Sequence, residues 1–413
     1  MTAGVVIVGG GQAGFQVAAS LRGDGYAGPI HLVSAEAHVP YQRPPLSKGL
    51  LLGKMDRARL LFRQPAFYAT QSIDLHLGTA ATALDPSART VTTATGQVIP
   101  YDMLVLATGT RVRPLPVPGT ELENVVYLRT LDESESLARR VDEASRVVVI
   151  GGGFIGLEVA AAVRMLGKPV TVLEAADRLM GRVVAPVISG FYADLHRSRG
   201  VELVLDARIE CLIGEDGKVS GVMMADGGRH AADLVVIGIG VLPNVELAVA
   251  AGLACENGIL VDEHGRTSDP HIFAAGECTS HPNRFAGGRI RLESVQNAVD
   301  QAKAVAAAIL GKPHVYDEVP WFWSDQYEVK LQMVGISTGH DQRVIRGAPA
   351  EGKFSVCYFK AGRLVAIDSV NRPSDHMTGR KLLTQGTDLT PERAADDGVD
   401  LKAALRPPMA APA

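Results

Sequence analysis

Two stretches of the chain share one pattern of hydrophobic and polar positions. The apolar runs Val5–Val8 and Val147–Ile150 each lead into a cluster of glycines and then into a mostly apolar segment of helical periodicity. In both copies a second apolar strand follows and ends near a carboxylate. The pattern predicts two βαβ units, and Gly9 and Gly151, which are 142 residues apart, mark an internal repeat.

The glycines of both units follow the spacing G-x-G-x-x-G, which is typical of dinucleotide-binding turns. The first glycine permits a tight turn, the second lets the backbone approach a pyrophosphate, and the third lets the helix pack against the strand. The helix N-terminus favours the negative charge of that pyrophosphate. One such motif is a weak signal, but two in strand-turn-helix context predict two dinucleotide sites. The glycines are Gly9, Gly11, Gly14, Gly151, Gly153 and Gly156.

The remaining pattern predicts the domain organisation. Apolar strands ending at Ala107–Gly109 and at Gly238–Gly240 close the two units, and proline-containing connections follow them. From Trp321 the alternation of apolar and polar residues predicts an antiparallel sheet. We therefore expect an α/β fold in which one Rossmann-like dinucleotide-binding domain is inserted in another, plus a C-terminal α+β domain.

The predicted boundaries make the first domain discontinuous. It comprises residues 1–112 and 245–320, the inserted domain comprises residues 113–244, and the C-terminal domain comprises residues 321–413. A helix is predicted to begin near Val295 with Ser294 as its N-cap. We expect the tail, Pro407–Ala413, to be disordered.

Composition narrows the function classes. The net charge of −4, from 41 Lys and Arg against 45 Asp and Glu, argues against wholesale nucleic-acid binding. Glycines and Glu158 interrupt the longest apolar stretches, so no membrane span is predicted. The chain enters its first strand without a basic leader segment, and we expect a cytoplasmic protein.

The spacing of the cysteines argues against thiol chemistry. The four cysteines, Cys211, Cys255, Cys278 and Cys357, are widely separated and form no C-x-x-C pair. They read as small buried hydrophobic residues. We predict no redox-active disulfide and no metal site.

Two carboxylates end the second strands of the units. Glu36, 22 residues after Gly14, suits a hydrogen bond from a ribose hydroxyl, although a solvated loop charge is the alternative. Glu174 would accept from both ribose hydroxyls of NADH and repel the 2′-phosphate of NADPH. Arg178 and Arg182 lie downstream and could instead favour a phosphate, so NADH preference is the expectation and NADPH the alternative.

Several landmarks together resemble the FAD-dependent NADH–ferredoxin reductases of bacterial oxygenase systems, over essentially the whole chain. Their order and spacing are specific, whereas each alone is not. The landmarks are Gly9–Gly14, Arg43–Lys48, Ala107–Gly109, Gly151–Gly156, Ala274–Glu277, Glu293–Ala298 and Trp321–Gln326. The resemblance implies a glutathione reductase-like architecture with non-covalent FAD in the first domain and NADH in the inserted one.

The resemblance also implies the FAD-contacting positions. Glu277 stands where most relatives carry Asp, and Ala35 stands where relatives tend to carry an acid. The implied FAD residues are Gly9, Gly11, Gln12, Ala13, Gly14, Ala35, Glu36, Arg43, Lys48, Ala81, Ala107, Thr108, Gly109, Arg129, Gly276, Glu277, Ser294, Val295, Trp321 and Trp323.

The implied NADH residues lie in the inserted domain. They are Gly151, Gly153, Phe154, Ile155, Gly156, Glu158, Glu174, Arg182, Gly238 and Gly240. Lys48, Glu158 and Trp323 are the implied catalytic residues, with Lys48 and Glu158 tuning the flavin as an ion pair and no acid–base residue required. The alternatives from the residues alone are a solvated charge for Lys48, a helix-surface carboxylate for Glu158 and core packing for the tryptophans.

The implied reaction is hydride transfer from NADH to FAD, followed by single-electron transfer to a two-iron two-sulfur ferredoxin that feeds an oxygenase, such as a haem-thiolate monooxygenase. The absence of a close cysteine pair argues against the disulfide reductases that share both nucleotide units. A rubredoxin reductase or an NADH oxidase is the alternative, and a signalling flavoprotein like apoptosis-inducing factor is disfavoured. A basic surface for an acidic ferredoxin is expected, with Arg289, Arg291, Arg380 and Lys381 as candidates and ordinary solvated charges as the alternative.

Overall fold

The computed structural model describes residues 3–405 of the chain. The tail, Pro407–Ala413, for which disorder is predicted, lies outside the described residues. No helix in the described range is long and apolar enough to cross a membrane.

The strands of the described residues are numbered in chain order. They are β1 (Val5–Val8), β2 (Ile30–Val33), β3 (Ile73–His76), β4 (Ala81–Asp85), β5 (Thr90–Thr93), β6 (Val98–Pro100), β7 (Met103–Leu106), β8 (Thr110–Val112), β9 (Val125–Tyr127), β10 (Val147–Ile150), β11 (Val170–Leu173), β12 (Val201–Val204), β13 (Ile209–Glu215), β14 (Lys218–Met224), β15 (Arg229–Ala231), β16 (Leu234–Ile237), β17 (Val241–Pro243), β18 (Ile259–Leu260), β19 (Ile272–Ala274), β20 (Thr279–Asn283), β21 (Gly288–Ile290), β22 (Trp321–Gln326), β23 (Val329–Gly335), β24 (Gln342–Ala348), β25 (Lys353–Lys360) and β26 (Arg363–Val370).

The helices follow the same order. The α-helices are α1 (Gln12–Gly23), α2 (Pro65–Thr70), α3 (Leu131–Glu143), α4 (Phe154–Met165), α5 (Pro186–Ser198), α6 (Glu246–Ala250), α7 (Val295–Ile309), α8 (Pro373–Gln385) and α9 (Pro391–Ala395). Short 3₁₀ turns cover Pro44–Ser47, Arg57–Leu60, Pro349–Glu351 and Leu401–Ala404.

The chain divides into two compact units. The first ends its opening segment at Gln42 and also contains Arg57–Arg111 and Leu242–Pro320. The second contains Arg43–Asp56, Val112–Val241 and the residues from Trp321 onward. The predicted first domain included Arg43–Asp56, whereas the structure groups this segment with the second unit. The predicted domain boundaries themselves stay predictions.

The first unit is built on a five-stranded parallel sheet in the order β19-β7-β1-β2-β3. Its central strands are buried on both faces, as the unbroken apolar run Val5–Val8 predicts. One face packs with α1 and α7 around Phe15, Leu21 and Val305, and the other face carries Val6, Leu104 and Ile272. Two small sheets, β4-β5-β6 and β18-β20-β21, complete this unit.

The second unit contains a matching parallel sheet in the order β12-β11-β10-β16-β9 and an antiparallel sheet of β13, β14 and β15. Its C-terminal residues form an antiparallel sheet in the order β22-β23-β26-β25-β24, with α8 packed on β26 and β23. The predicted fold class is confirmed: two Rossmann-like parallel sheets and a C-terminal α+β part are present. The predicted internal repeat corresponds to β1-α1-β2 and β10-α4-β11.

Candidate dinucleotide-binding sites

The glycine turn of the first unit is packed too tightly for side chains at two of its three positions. Gly9 has a φ of +121°, and a Cβ atom there would lie 2.1 Å from the carbonyl oxygen of Ala107. A Cβ atom on Gly14 would lie 1.9 Å from the carbonyl oxygen of Gly9. Around Gly11, by contrast, no atom outside the glycine and its two chain neighbours lies within 4 Å of the position a Cβ would take. The turn therefore leaves an open approach to its backbone at Gly11.

Helix α1 begins directly after this opening. Its N-cap is Gly11, which provides no side-chain hydrogen bond to the first-turn N–H groups, and its first turn carries no acidic residue. Gln12, Ala13 and Gly14 therefore present the positive end of the helix without a competing acceptor from the cap. A diphosphate group fits this arrangement by charge and by the space at Gly11.

The end of β7 and the segment around Gly276 lie beside the same turn. Thr108 Oγ1 donates to the carbonyl oxygen of Asn244 over 2.7 Å, and Asn244 Nδ2 donates back to the carbonyl of Thr108 over 2.9 Å. A Cβ atom on Gly276, whose φ is +90°, would lie 3.0 Å from Cβ of Ala13. The structure therefore brings Ala107–Gly109 and Gly276 to the start of α1.

Glu277 is engaged by a neighbouring hydroxyl. Thr110 Oγ1 donates to Glu277 Oε2 over 2.7 Å. The backbone N–H of Gly276 donates to Gln301 Oε1 over 2.7 Å, which fixes this segment on α7. The structure thus positions Glu277 within the first unit, and its bond to a cofactor stays a prediction.

Helix α7 begins at Val295, as predicted. Ser294 is the N-cap, and its Oγ accepts from the backbone N–H of Asn297 over 3.0 Å. The first turn of α7 carries no acidic residue. The helix start therefore presents a positive end, as the sequence interpretation of Ser294 and Val295 requires.

Three further implied FAD residues, Ala35, Glu36 and Ala81, lie just after β2 and at the start of β4. Glu36 is half-buried and accepts a hydrogen bond from the hydroxyl of Tyr41, and its backbone carbonyl accepts from Gly78 N–H over 3.0 Å. Ala35 is exposed and Ala81 is half-buried. Glu36 is thus part of an ordered loop, and its bond to a ribose stays a prediction.

The second unit repeats the glycine geometry. A Cβ atom on Gly151, whose φ is +110°, would lie 2.5 Å from the carbonyl oxygen of Gly238, and one on Gly156 would lie 2.0 Å from that of Gly151. Gly153, the N-cap of α4, gives no side-chain cap, and no atom beyond its two chain neighbours lies within 4 Å of the position a Cβ would take. Ile155 in the first turn is 47% exposed. This turn also fits a diphosphate group.

The carboxylate of Glu174 is hydrogen-bonded to the second glycine turn. Its Oε2 accepts from the backbone N–H of Gly152 over 2.5 Å, and its Oε1 accepts from that of Ala176 over 2.8 Å. These bonds fix a carboxylate at the end of β11, next to the turn. In dinucleotide-binding folds a carboxylate at the end of this strand hydrogen-bonds the ribose hydroxyls, and for Glu174 that bond stays a prediction.

Arg178 and Arg182, the two arginines downstream of Glu174, differ in their hydrogen bonding and exposure. Arg178 donates to the carbonyls of Val184 over 2.8 Å and Gly181 over 2.5 Å, and to Ser189 Oγ over 2.9 Å. Its guanidinium therefore stabilises the segment between Gly181 and Ser189 by hydrogen bonding. Arg182 is exposed, and its Nη2 lies 3.8 Å from the position of a Cβ on Gly240.

A buried carboxylate cluster lies on α4. Glu158 is 3% exposed. Its Oε2 accepts from Lys48 Nζ and from Ser47 Oγ, each over 2.6 Å, and its Oε1 accepts from Ser324 Oγ over 2.7 Å. Lys48 Nζ also donates to the carbonyl of Pro44 over 3.2 Å. The helix-surface alternative for Glu158 is therefore wrong, and its pairing with Lys48 is present.

Sequence reasoning missed the continuation of this cluster. Gln326 Nε2 donates to Ser324 Oγ over 3.3 Å, and Gln326 Oε1 faces His196 Nε2 at 2.9 Å. Burial lowers the pKa of His196, while its bond to Gln326 raises it. Ser324 and Gln326 alternate on one strand, which is the only local signal that they share a face.

Trp321 and Trp323 are neighbouring tryptophans of β22 whose rings lie close together. Their ring centroids are 5.6 Å apart with an interplanar angle of 33°, and the Arg380 guanidinium lies 5.1 Å from the Trp321 ring centroid. His376 packs edge-on against Trp321, and burial together with Arg380 lowers its pKa to about 4. Both tryptophans are half-buried, so part of each ring surface stays accessible.

Arg43 and Arg129 lie together in the second unit. Arg43 Nη1 donates to the carbonyl of Arg129 over 2.6 Å, and the backbone N–H of Arg129 donates to Glu133 Oε2 over 2.7 Å. Glu133 in turn completes a capping box with Thr130 at the start of α3. The cap thereby positions both arginines.

The cysteines do not form a redox pair. All four are free, and Cys278 and Cys357 are buried. Burial raises the pKa of the Cys278 thiol, and it raises that of Cys357 to about 12. A thiol with a raised pKa is a poor nucleophile at neutral pH. Neither buried thiol is suited to disulfide exchange.

Comparison with known proteins decides the family. Residues 3–302 match the model of the pyridine nucleotide-disulphide oxidoreductases, and residues 321–405 match the reductase C-terminal model. The chain belongs to this family. Rhodocoxin reductase from Rhodococcus erythropolis is 48% identical over 401 residues, which cover 97% of this chain and 94% of that protein.

Solved structures of ferredoxin reductases have the same fold. The ferredoxin reductase for the CYP199A2 system from Rhodopseudomonas palustris superposes with a TM-score of 0.95 at 49% identity, covering 97% of this chain and 99% of that one. The reductase in the covalent putidaredoxin reductase–putidaredoxin complex gives 0.94 at 43% identity, with 97% of each chain covered. The predicted resemblance is confirmed. The chain is an FAD-dependent oxidoreductase of the putidaredoxin reductase-like group, with FAD and NADH as cofactors.

Proposed function

We propose that this flavoprotein is an NADH-dependent reductase that delivers single electrons to a two-iron two-sulfur ferredoxin, which in turn feeds an oxygenase. The observation that carries the proposal is the combination of two open glycine turns, at Gly11 and Gly153, with four free cysteines. Two dinucleotides fit, and no cysteine pair provides a dithiol route for electrons. A protein partner that takes up electrons directly is the function that this combination supports best.

The chain's own residues bind and orient the cofactors. Gly9–Gly14 with the start of α1 would hold the FAD diphosphate, and Gly151–Gly156 with the start of α4 would hold that of NADH. Bound FAD supplies a group that accepts two electrons as hydride and releases them one at a time. Glu174 would accept from the ribose hydroxyls of NADH, and this carboxylate disfavours the 2′-phosphate of NADPH.

Lys48 contributes a fixed positive charge. Glu158 and the carbonyl of Pro44 hold its ammonium, and its side chain is 21% exposed. A cation held in this way would stabilise negative charge that develops on a bound redox group. We assign Lys48 and Glu158 this tuning role, with Trp323 bordering the cofactor on β22.

The proposed partner surface lies on α8. Arg380 and Lys381 are both exposed there, and Arg380 lies against Trp321. Arg289 and Arg291 are less suitable, because Arg289 donates to the carbonyls of Val261 and Ser280 while Arg291 pairs with Glu293. A basic surface beside an accessible tryptophan suits an acidic electron carrier. We further propose the cytoplasm, which supplies NADH, as the place where the enzyme works.

A panel assay tests the proposed function. NADH oxidation by the purified holoenzyme is measured with oxygen alone, with two-iron two-sulfur ferredoxins, with rubredoxins and with a disulfide substrate. We expect a ferredoxin to accelerate turnover well above the oxygen rate. Faster turnover with rubredoxin would favour the rubredoxin reductase alternative, and no acceleration by any iron–sulfur or iron protein would favour an NADH oxidase.

A further inference from the structure

A cluster of two histidines and one aspartate lies at the edge of the parallel sheet in the first unit. Strand β3 is the outermost strand there, and its neighbour is β2. His31 of β2 is the register partner of Asp74 of β3, and His76 lies two residues beyond Asp74. Register partners on neighbouring parallel strands and alternate residues on one strand share a face. The three side chains therefore converge on one side of the sheet.

The ligand-type atoms form a nearly equilateral triangle. His31 Nδ1 lies 3.1 Å from Asp74 Oδ2 and 3.2 Å from His76 Nε2, and His76 Nε2 lies 3.0 Å from Asp74 Oδ2. Two ring nitrogens carry at most two protons between them, so hydrogen bonds occupy at most two of the three edges. A cation above the triangle would accept a lone pair from every atom.

The distances suit a small divalent metal. With metal–nitrogen and metal–oxygen bonds of about 2.0–2.1 Å, the ligand atoms of a tetrahedral site lie roughly 3.3 Å apart. The triangle needs to open by only a few tenths of an ångström to reach that spacing. Two imidazoles and one carboxylate are also a ligand set that Zn²⁺ and similar metals accept, unlike the all-oxygen sets of Mg²⁺ and Ca²⁺.

Burial leaves one side of the cluster open. The side chains of His31 and His76 are 8% and 11% exposed, whereas that of Asp74 is 57% exposed. The histidines are thus held by the fold, and water can reach the metal position from the Asp74 side as a fourth ligand. None of the three residues belongs to the predicted FAD or NADH sets.

We propose that His31, Asp74 and His76 form a divalent transition-metal site, with Zn²⁺ as the occupant. The metal would join the edge strand β3 to β2 and so stabilise this edge of the sheet. The sequence alone predicts no metal site, and His31 and Asp74, 43 residues apart, form no local ligand motif. The strand pairing is what brings them together.

The groups that surround the three ligands predict that the metal binds with limited strength. Metal-bound histidines usually donate their second ring nitrogen to an acceptor, which orients the ring. His31 Nε2 is buried and has no such acceptor among the described residues. The site should therefore be filled by titration and emptied by a chelator, rather than retain its metal through purification.

Calorimetric titration of the chelator-treated, FAD-loaded full chain with Zn²⁺ tests the proposal. The wild type should bind one equivalent, and Zn²⁺ should raise its thermal unfolding midpoint, because a ligand that binds only the folded state stabilises it. His76→Gln should lose both effects and Asp74→Asn should weaken binding at least tenfold. His314→Gln, which changes an exposed histidine elsewhere in the chain, should behave as the wild type.

The variants avoid His31, whose burial makes a folding defect a risk. The visible flavin spectrum and circular dichroism report whether His76→Gln and Asp74→Asn are folded. Cobalt(II) gives a second readout, since three protein ligands and water should produce the strong visible absorption of a tetrahedral ion. Wild-type protein that binds no equivalent of Zn²⁺, or folded variants that bind as tightly as the wild type, would overturn the proposal.

Discussion

Lys48 Nζ lies 2.6 Å from Glu158 Oε2, and this buried ion pair joins the segment Arg43–Asp56 to helix α4. Ser47 and Ser324 add two further hydrogen bonds, so that both oxygens of the carboxylate accept at least one. A buried carboxylate is tolerated only when it is paired and hydrogen-bonded in this way. The pair therefore serves stability as well as the proposed tuning of the flavin.

Glu158→Gln should show both roles. The substitution keeps the shape of the side chain but leaves Lys48 without its counter-ion, so we expect a loss of about 3 kcal/mol in unfolding free energy. Reduction of the flavin by NADH should slow at least tenfold, equivalent to about 1.4 kcal/mol of activation free energy. Denaturant unfolding and stopped-flow absorbance measure the two effects.

The control for this variant is Glu121→Gln, which changes an exposed carboxylate of the same unit. It should leave stability and rate at wild-type values. A Glu158→Gln protein that loses stability but reduces its flavin at the wild-type rate would show that the pair has a structural role alone.

Gly11→Ala tests the first dinucleotide turn. The added methyl group meets no atom beyond the two neighbouring residues within 4 Å, so the fold should be retained, but it would occupy the approach that the FAD diphosphate needs. FAD affinity should fall at least tenfold, measured as flavin retained after gel filtration and by titration of the apoprotein. Gly23→Ala, in open space at the end of the same helix, is the matched control. Equal FAD affinity in both variants would contradict the assignment of the turn.

Glu174→Ala tests the choice of nicotinamide cofactor. Loss of a charged hydrogen-bond acceptor typically costs about 1.5–3 kcal/mol, so kcat/KM for NADH should fall roughly tenfold to a hundredfold. The value for NADPH should change less, because that cofactor's 2′-phosphate no longer faces a carboxylate. Steady-state assays with both cofactors measure the ratio.

Arg178→Ala provides the contrast. Because Arg178 is bonded to Val184, Gly181 and Ser189, its removal should lower the thermal unfolding midpoint and leave the NADH to NADPH ratio unchanged. A shift of the ratio in Arg178→Ala, with none in Glu174→Ala, would reverse the roles assigned here.

The C-terminal sheet contains a carboxyl group whose ionisation should oppose folding. Asp368 is 1% exposed, and burial raises its pKa from 3.8 to about 7, although the bond from Tyr358 OH, at 2.6 Å, lowers it. Because the folded pKa lies above the unfolded one, the stabilising contribution is complete below pH 3.8 and is lost as the pH rises through about 7.

Asp368→Asn should therefore flatten the pH dependence of stability. The wild-type unfolding midpoint should carry a downward component between about pH 4 and pH 7, the interval between the unfolded and folded pKa values, and the variant should lack that component. Differential scanning calorimetry across this range, with Asp341→Asn at a turn of the same sheet as control, measures the difference. Identical pH profiles for wild type and Asp368→Asn would disprove the assignment.

The fold and the two glycine turns were predictable from the sequence because their signals are local. The β-branched runs, the glycine spacing and the N-cap Ser294 each act within about twenty residues. The fit of Gly9 against Ala107 and of Gly151 against Gly238 shows why glycine is required there. The pairing of Lys48 with Glu158 rested on resemblance, since 110 residues separate them.

Long-range contacts account for what the sequence left out. Ser324 reaches Glu158 across 166 positions, and His196 meets Gln326 across 130. His31, Asp74 and His76 converge only once β2 pairs with β3 in its observed register. Local periodicity does not predict these contacts, because they depend on which strands become neighbours and on the face that each residue occupies.

The central claim is that electrons from NADH leave this protein singly to a ferredoxin. Anaerobic stopped-flow mixing of the NADH-reduced holoenzyme with an oxidised two-iron two-sulfur ferredoxin tests it most directly. The account predicts rapid bleaching of the ferredoxin spectrum, with two ferredoxins reduced per NADH and no dependence on a thiol-alkylating reagent. Reduced enzyme that keeps its electrons in the presence of ferredoxin, yet is rapidly oxidised by a disulfide substrate, would contradict the account.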